Sequence, residues 1–147
     1  FENMLANIVA LAAFIPVILG MGGNIATQSS TIIVRGMATG RVNIGGEIKL
    51  IYKEVKVGLI LGSLYGILLG VFAKFTFAGA PDNLGFVVGL SICASMIVAA
   101  TVGTIIPLIL RKLDIDPAIA TGPFVTTSID ILGVLFYLLI AGIFLQI

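Results

Sequence analysis

Residues 116–147 read DPAIATGPFVTTSIDILGVLFYLLIAGIFLQI, and after Asp116 they carry a single charge, Asp130. A helix needs about 20 mostly apolar residues to cross a hydrocarbon core roughly 30 Å thick. This stretch is long enough. Its apolar run is continuous rather than alternating, so it reads as a membrane-spanning helix and not as a barrel strand. Asp116-Pro117 supplies the start, with the carboxylate as N-cap and the proline ring at the first helical position, where no N–H is needed.

The same pattern recurs upstream. Residues 3–34, 57–73 and 83–110 are free of charge. The charge gaps predict four transmembrane helices, at about 5–32, 56–77, 84–110 and 118–146. The fold class is therefore an all-α polytopic membrane protein, with residues 1–147 as a single transmembrane domain. Composition agrees. Hydrophobic residues make up 59% of the 147 residues and charged residues 10%, and mean hydropathy is +1.23. Soluble domains are roughly 45–50% apolar and about 25% charged. Eight basic and seven acidic side chains cannot cover a soluble surface of this size. Disorder is excluded by the hydrophobicity, and a net charge of +1 points to no nucleic-acid partner.

Short basic loops set orientation. Loop 35–56 holds Arg35, Arg41, Lys49, Lys53 and Lys56, and loop 111–117 holds Arg111 and Lys112, whereas loop 74–83 has only Lys74. Loops 35–56 and 111–117 are expected on the cytoplasmic side of the plasma membrane, and both termini outside. An external N-terminus without a signal sequence implies a preceding transmembrane helix.

The chemistry-bearing residues lie inside the membrane. An aspartate at the bilayer centre costs about 2.5–3.5 kcal/mol on insertion scales, and such acids face a bundle interior or a wet pathway. Asp130 shares a helical face with Pro123, Thr126, Thr127 and Gly133, with Tyr137 one turn on. Gly122-Pro123 loosens the helix and frees backbone carbonyls, which are tolerated at that depth only against protein or water. On the first helix Gly20, Asn24, Thr27, Gln28, Thr31 and Arg35 form a polar stripe, and Gly22 and Gly23 admit a close neighbour. The second helix repeats Gly58, Gly62, Gly66 and Gly70 every four residues, a seam for close helix packing.

The chain has no His and one Cys, which excludes Ser/His and Cys/His nucleophiles and soft-metal sites. No phosphate-cradling GxxxxGK[ST] motif is present, and one intramembrane acid without a base does not perform hydrolysis. The reading is not an enzyme but passive or ion-coupled transport. Two Asp130 carboxylates brought to one axis by a dimer would match one divalent cation. Polar oxygens from Asn24, Thr127 and backbone carbonyls near Gly20, Gly23 and Gly122 would hold its waters. Mg2+ keeps several waters and suits such a site. The alternative is a proton- or sodium-coupled cation carrier using Asp130 as the coupling site. A non-conducting scaffold held by the Gly58–Gly70 seam is the rival from another class.

Three stretches carry a family resemblance: FIPVILGMGGNIATQSSTIIVRGMATG (14–40), YKEVKVGLILG (52–62) and DPAIATGPFVTTSIDILG (116–133). They resemble, in order, the membrane domain of the MgtE family of magnesium channels and transporters. That resemblance implies a five-helix membrane domain lacking its first helix here, and a homodimer with a central pore conducting Mg2+. It also implies cytoplasmic regulatory domains in the full-length chain. The family's pore aspartate falls on Asp130, and its Gly-Gly-Asn segment on Gly22, Gly23 and Asn24 with Gly20 just above. The acidic residue of the cytoplasmic mouth falls on Asp116, and Glu2 is assigned to the outer mouth. Some members have Asn where this chain has Gly122, so only the backbone carbonyl is left to serve there.

Overall fold

The computed structural model describes residues 2–42, 45–77 and 80–145, with side chains from Val9 onward except Ala120 and Thr121. The described residues form helices and no strand. The helices are α1 (Glu2–Ala38), α2 (Glu47–Thr76), α3 (Leu84–Lys112) and α4 (Pro123–Leu145), with a 3-10 turn at Pro117–Thr121. Each of the four α-helices is long and apolar enough to cross a membrane.

The first helix, expected at 5–32, runs on to Ala38, and two further boundaries differ from the charge-gap reading. The expected second helix, 56–77, begins nine residues earlier, at Glu47. Residues 47–55 are rich in Glu, Lys, Leu and Ile, which propagate a helix well although their charges interrupt the apolar signal. The connection from α1 is accordingly 39–46. Within it Gly40 and Gly45 hold φ of +68° and +103°, conformations that cost glycine little. The second difference is the expected continuous helix 118–146. The chain makes a 3-10 turn and then an extended residue, Gly122, before α4 starts. The ring of Pro123 disfavours the helical region for the residue before it, and Pro123 then occupies the first position of α4 without loss of a hydrogen bond.

The α3 helix is the centre of the packing and touches all three other helices, while α1 and α4 also pack on each other. It buries residues along its length, from Leu84 to Leu108. The α2 helix packs on α3 through the glycine seam. A Cβ at Gly66 would come 2.5 Å from the Gly89 carbonyl oxygen, and one at Gly70 would come 2.5 Å from that of Gly85. In lipid, where apolar surface gains nothing by leaving the solvent, such close backbone approach is what drives association. The opposite face of α2 is exposed and apolar, with Ile60, Leu64, Ile67, Leu68 and Phe72.

Candidate functional site

Four antiparallel meetings between α1 and α4 set the depth of every site residue. Tyr137 Oη donates to the Leu11 carbonyl at 2.8 Å. Gly133 lies beside Ile18, Gly22 beside Ile129 and Gly23 beside Thr126. Continuing this ladder places Asp130 level with Gly20, Asn24 level with Thr126, and Gln28 level with Gly122.

Part of the accessible side of this helix pair is polar, beside exposed apolar residues such as Phe124, Ile131 and Leu135 on α4. Gly20, Asn24, Gln28 and Thr31 are exposed on α1, as is Thr127 on α4; Asp130, Gly23 and Thr126 are half-buried. Among the described residues, Asp130, Asn24, Gln28 and Thr127 make no side-chain hydrogen bond or ion pair. Thr126 is different, because its hydroxyl donates to the Pro123 carbonyl at 3.1 Å. Gly20 has open space where a side chain would begin, with no atom within 4 Å of an added Cβ. An uncharged polar stripe and a carboxylate therefore share one face of two helices that are each long and apolar enough to cross a membrane.

Part of the expected Asp130 face turns away from it. Gly133 is buried, and a Cβ there would lie 3.1 Å from Ser95 Oγ on α3. Tyr137 is fully buried against α1. The helical stripe of Asp130 is open toward Thr127 and Pro123 and closed in the other direction, because α1 and α3 cover the later turns of α4.

The backbone ligands need adjustment as well. Gly20 and Gly23 lie inside the continuous helix α1, where each carbonyl accepts from the N–H four residues on, leaving one further lone pair for water or an ion. The Gly122 carbonyl differs, because it accepts both the Val125 N–H at 3.2 Å and the Thr126 N–H at 3.5 Å, the first bonds of α4. No atom lies within 4 Å of a Cβ built on Gly122. Asp116 is exposed, and its Oδ1 caps the 3-10 turn by accepting from the Ala118 N–H at 2.9 Å. The Glu2 side chain lies outside the described residues.

The serines and threonines of α3 are packing elements. Thr101 and Thr104 donate to the carbonyls of Ile97 and Ala100, the common intrahelical pattern, and Ser91 and Ser95 are buried.

Sequence reasoning missed Glu54. It is 4% exposed and accepts a hydrogen bond from Ser29 Oγ at 2.9 Å. Its signal was present: Glu54 stands four residues before Gly58, in register with the glycine seam, and so belongs to the inward face of α2. Among the described residues no three His, Cys, Asp or Glu side chains converge.

Comparison with known proteins decides the family. The family model described as MgtE, divalent cation transporter, matches residues 15–140. The chain belongs to the MgtE family. It is 40% identical over 146 residues to the magnesium transporter MgtE of Bacillus subtilis (strain 168), covering 99% of this chain and 32% of that protein. It is 39% identical to the magnesium transporter MgtE of Thermus thermophilus and 36% identical to that of Enterococcus faecalis, with the same coverage. The chain thus spans about a third of the length of the curated MgtE relatives it matches. Both the GMGGN segment of α1 and the IDIL segment around Asp130 lie inside the matched range.

Proposed function

We propose that this chain is the conducting membrane part of a Mg2+ channel, a transporter rather than an enzyme, and that two copies meet on the Asp130 face. The observation that carries this reading is the open polar face of α1 and α4. Asp130, Asn24, Gln28 and Thr127 are unpaired among the described residues, yet they lie at membrane depth. Polar side chains left facing lipid would be costly, so the face belongs against water and a second protein surface. Two Asp130 carboxylates across a shared axis balance one divalent ion. Asn24 and Thr127, with the half-used carbonyls at Gly20 and Gly23 and the more fully engaged one at Gly122, hold its water shell. Mg2+ is the transported substrate, and the names of the three relatives support that choice.

In this arrangement Asp116 stands at the cytoplasmic mouth, the connections 39–46 and 113–116 lie in the cytoplasm, and the C-terminus is external. Regulatory domains elsewhere in the full-length protein act on the pore from the cytoplasmic side. Glu2 stands at the outer mouth.

The test is Mg2+ influx into proteoliposomes holding the full-length protein, with a membrane potential set and no pH or Na+ gradient. Influx in wild type that disappears in Asp130→Ala, with both proteins equally dimeric by crosslinking, is the expected result. Influx appearing only after a proton or Na+ gradient is added would replace the channel by a coupled carrier. Equal influx in both proteins would remove Asp130 from the path.

A further inference from the structure

We propose that Arg41, Lys49, Lys53 and Lys56 form a binding site for the phosphate of an anionic phospholipid headgroup, at the membrane surface beside the first turns of α2. These residues line a recess of about 720 Å3 whose remaining wall is Val42, Gly46, Leu50 and Tyr52. Lys49, Lys53 and Lys56 recur at helical spacing on one face. Like charges at that spacing repel, and an anion between them removes the repulsion.

The two acids of this stretch are engaged elsewhere. Glu47 pairs with Lys112 at 3.6 Å and accepts from the Gly45 N–H, and Glu54 is turned inward onto Ser29. Among the described residues none of the four cations makes an ion pair, and the recess carries four positive charges with no acid in its wall.

The recess is built rather than incidental. Arg41 and Val42 both donate their N–H to the Gly36 carbonyl, at 2.9 and 3.1 Å. Arg111 on α3 donates to the Val42 carbonyl at 3.3 Å. These bonds tie Arg41 and Val42 to the ends of α1 and α3.

Depth selects a lipid over a soluble anion. The α2 helix has 30 residues, about 45 Å of rise, against a hydrocarbon core of roughly 30 Å. Its charge-free part is 57–73, so Lys49, Lys53 and Lys56 stand in the headgroup layer. Tyr52 is 61% exposed, an aromatic side chain among these lysines, and Lys56 lies over the Tyr52 ring at 4.5 Å. Tyrosine at this depth is characteristic of the membrane interface, and basic recesses between transmembrane helices bind anionic headgroups.

The experiment uses the full-length protein in nanodiscs of phosphatidylcholine alone or equimolar with phosphatidylglycerol. Native mass spectrometry of the released protein counts each retained lipid. Wild type retains phosphatidylglycerol over phosphatidylcholine, and the preference weakens in high salt. Each lysine removed weakens retention about fivefold, so Lys49→Gln/Lys53→Gln/Lys56→Gln reduces it by roughly a hundredfold, and the corresponding Arg variants keep it. Inorganic phosphate in excess does not displace the lipid. In intact nanodiscs, phosphatidylglycerol slows acetylation of the three lysines.

Equal retention of both lipids by wild type, or unchanged retention in the triple Gln variant, would overturn the site. Displacement by inorganic phosphate would make it a soluble-anion site instead. Protection of the lysines from acetylation in phosphatidylcholine alone would mean that an acidic protein segment covers them, which also overturns the lipid assignment. Retention is read in variants shown by size-exclusion chromatography to keep the wild-type oligomer.

Discussion

Ser29 Oγ on α1 donates to Glu54 Oε2 on α2 across 2.9 Å, with both side chains buried. Ser29 follows directly on Gln28 of the polar face, so the bond ties the back of the proposed pore helix to a helix that otherwise packs on α3. A hydrogen bond to a charged acceptor is worth about 1.5–3 kcal/mol when buried, whereas neutral ones between membrane helices average about 0.6 kcal/mol. Glu54→Gln keeps an acceptor and is expected to hold the helices together with a small loss. Glu54→Ala leaves the Ser29 hydroxyl without its acceptor and is expected to lower the thermal midpoint in detergent by several degrees. A midpoint equal to wild type in Glu54→Ala would show that the bond contributes nothing.

Gly20 and Gly22 separate function from folding. Gly20 faces open space, while a Cβ at Gly22 would lie 3.1 Å from Ile129 Cγ2. Gly20→Ala is expected to melt like wild type. Even so, it places a methyl group level with Asp130 and reduces Mg2+ influx, because the ion's water shell loses room. Gly22→Ala is expected to lower stability by about 1 kcal/mol through overpacking. Melting curves and influx on the same preparations distinguish the two. Normal influx in Gly20→Ala would place the path away from α1.

The polar face should show graded effects. Asn24→Ala removes an uncharged oxygen and leaves the carboxylate, so influx is expected to fall less than in Asp130→Ala. Thr127→Val keeps shape and removes the hydroxyl, and a reduction of a few-fold is expected. Influx at a series of Mg2+ concentrations tests the ranking. Influx lost as completely in Asn24→Ala as in Asp130→Ala would contradict it.

The glycine seam is expected to be the most sensitive part of the scaffold. A Cβ at Gly66 meets the Gly89 backbone rather than a side chain that can move, so α2 and α3 must separate. Gly66→Ala is expected to cost about 1–3 kcal/mol, read as increased protease cleavage or earlier loss of helicity in denaturing detergent. Leu68→Ala, on the exposed face of α2, serves as the control and is expected to change little.

Tyr137→Phe removes the buried bond to the Leu11 carbonyl while keeping the ring. A loss of about 0.5–1.5 kcal/mol is expected, with Mg2+ influx retained, because the hydroxyl points to α1 and away from the open face. Lost influx in a stable Tyr137→Phe protein would return Tyr137 to the ion path.

Much of this protein is determined by the order of its residues alone. Charge costs so much in hydrocarbon that the charge-free runs mark four membrane helices, and a lone unpaired Asp130 marks the candidate site. The GMGGN and TTSIDIL segments carry the family. The glycine seam is legible because a four-residue repeat keeps one helix face. Tertiary packing decided what local pattern cannot carry. Helical spacing puts Tyr137 and Gly133 on the Asp130 face, but only the covering by α1 and α3 buries them. The same local signal leaves Glu54 among lysines at the membrane surface, although its side chain is turned inward onto Ser29. Pro123 ends one helical segment and begins another, so the carbonyl of Gly122 is spent on the α4 ladder. Periodicity reports which residues share a face; which face is open depends on the neighbouring helices, because burial is a property of the assembled surface.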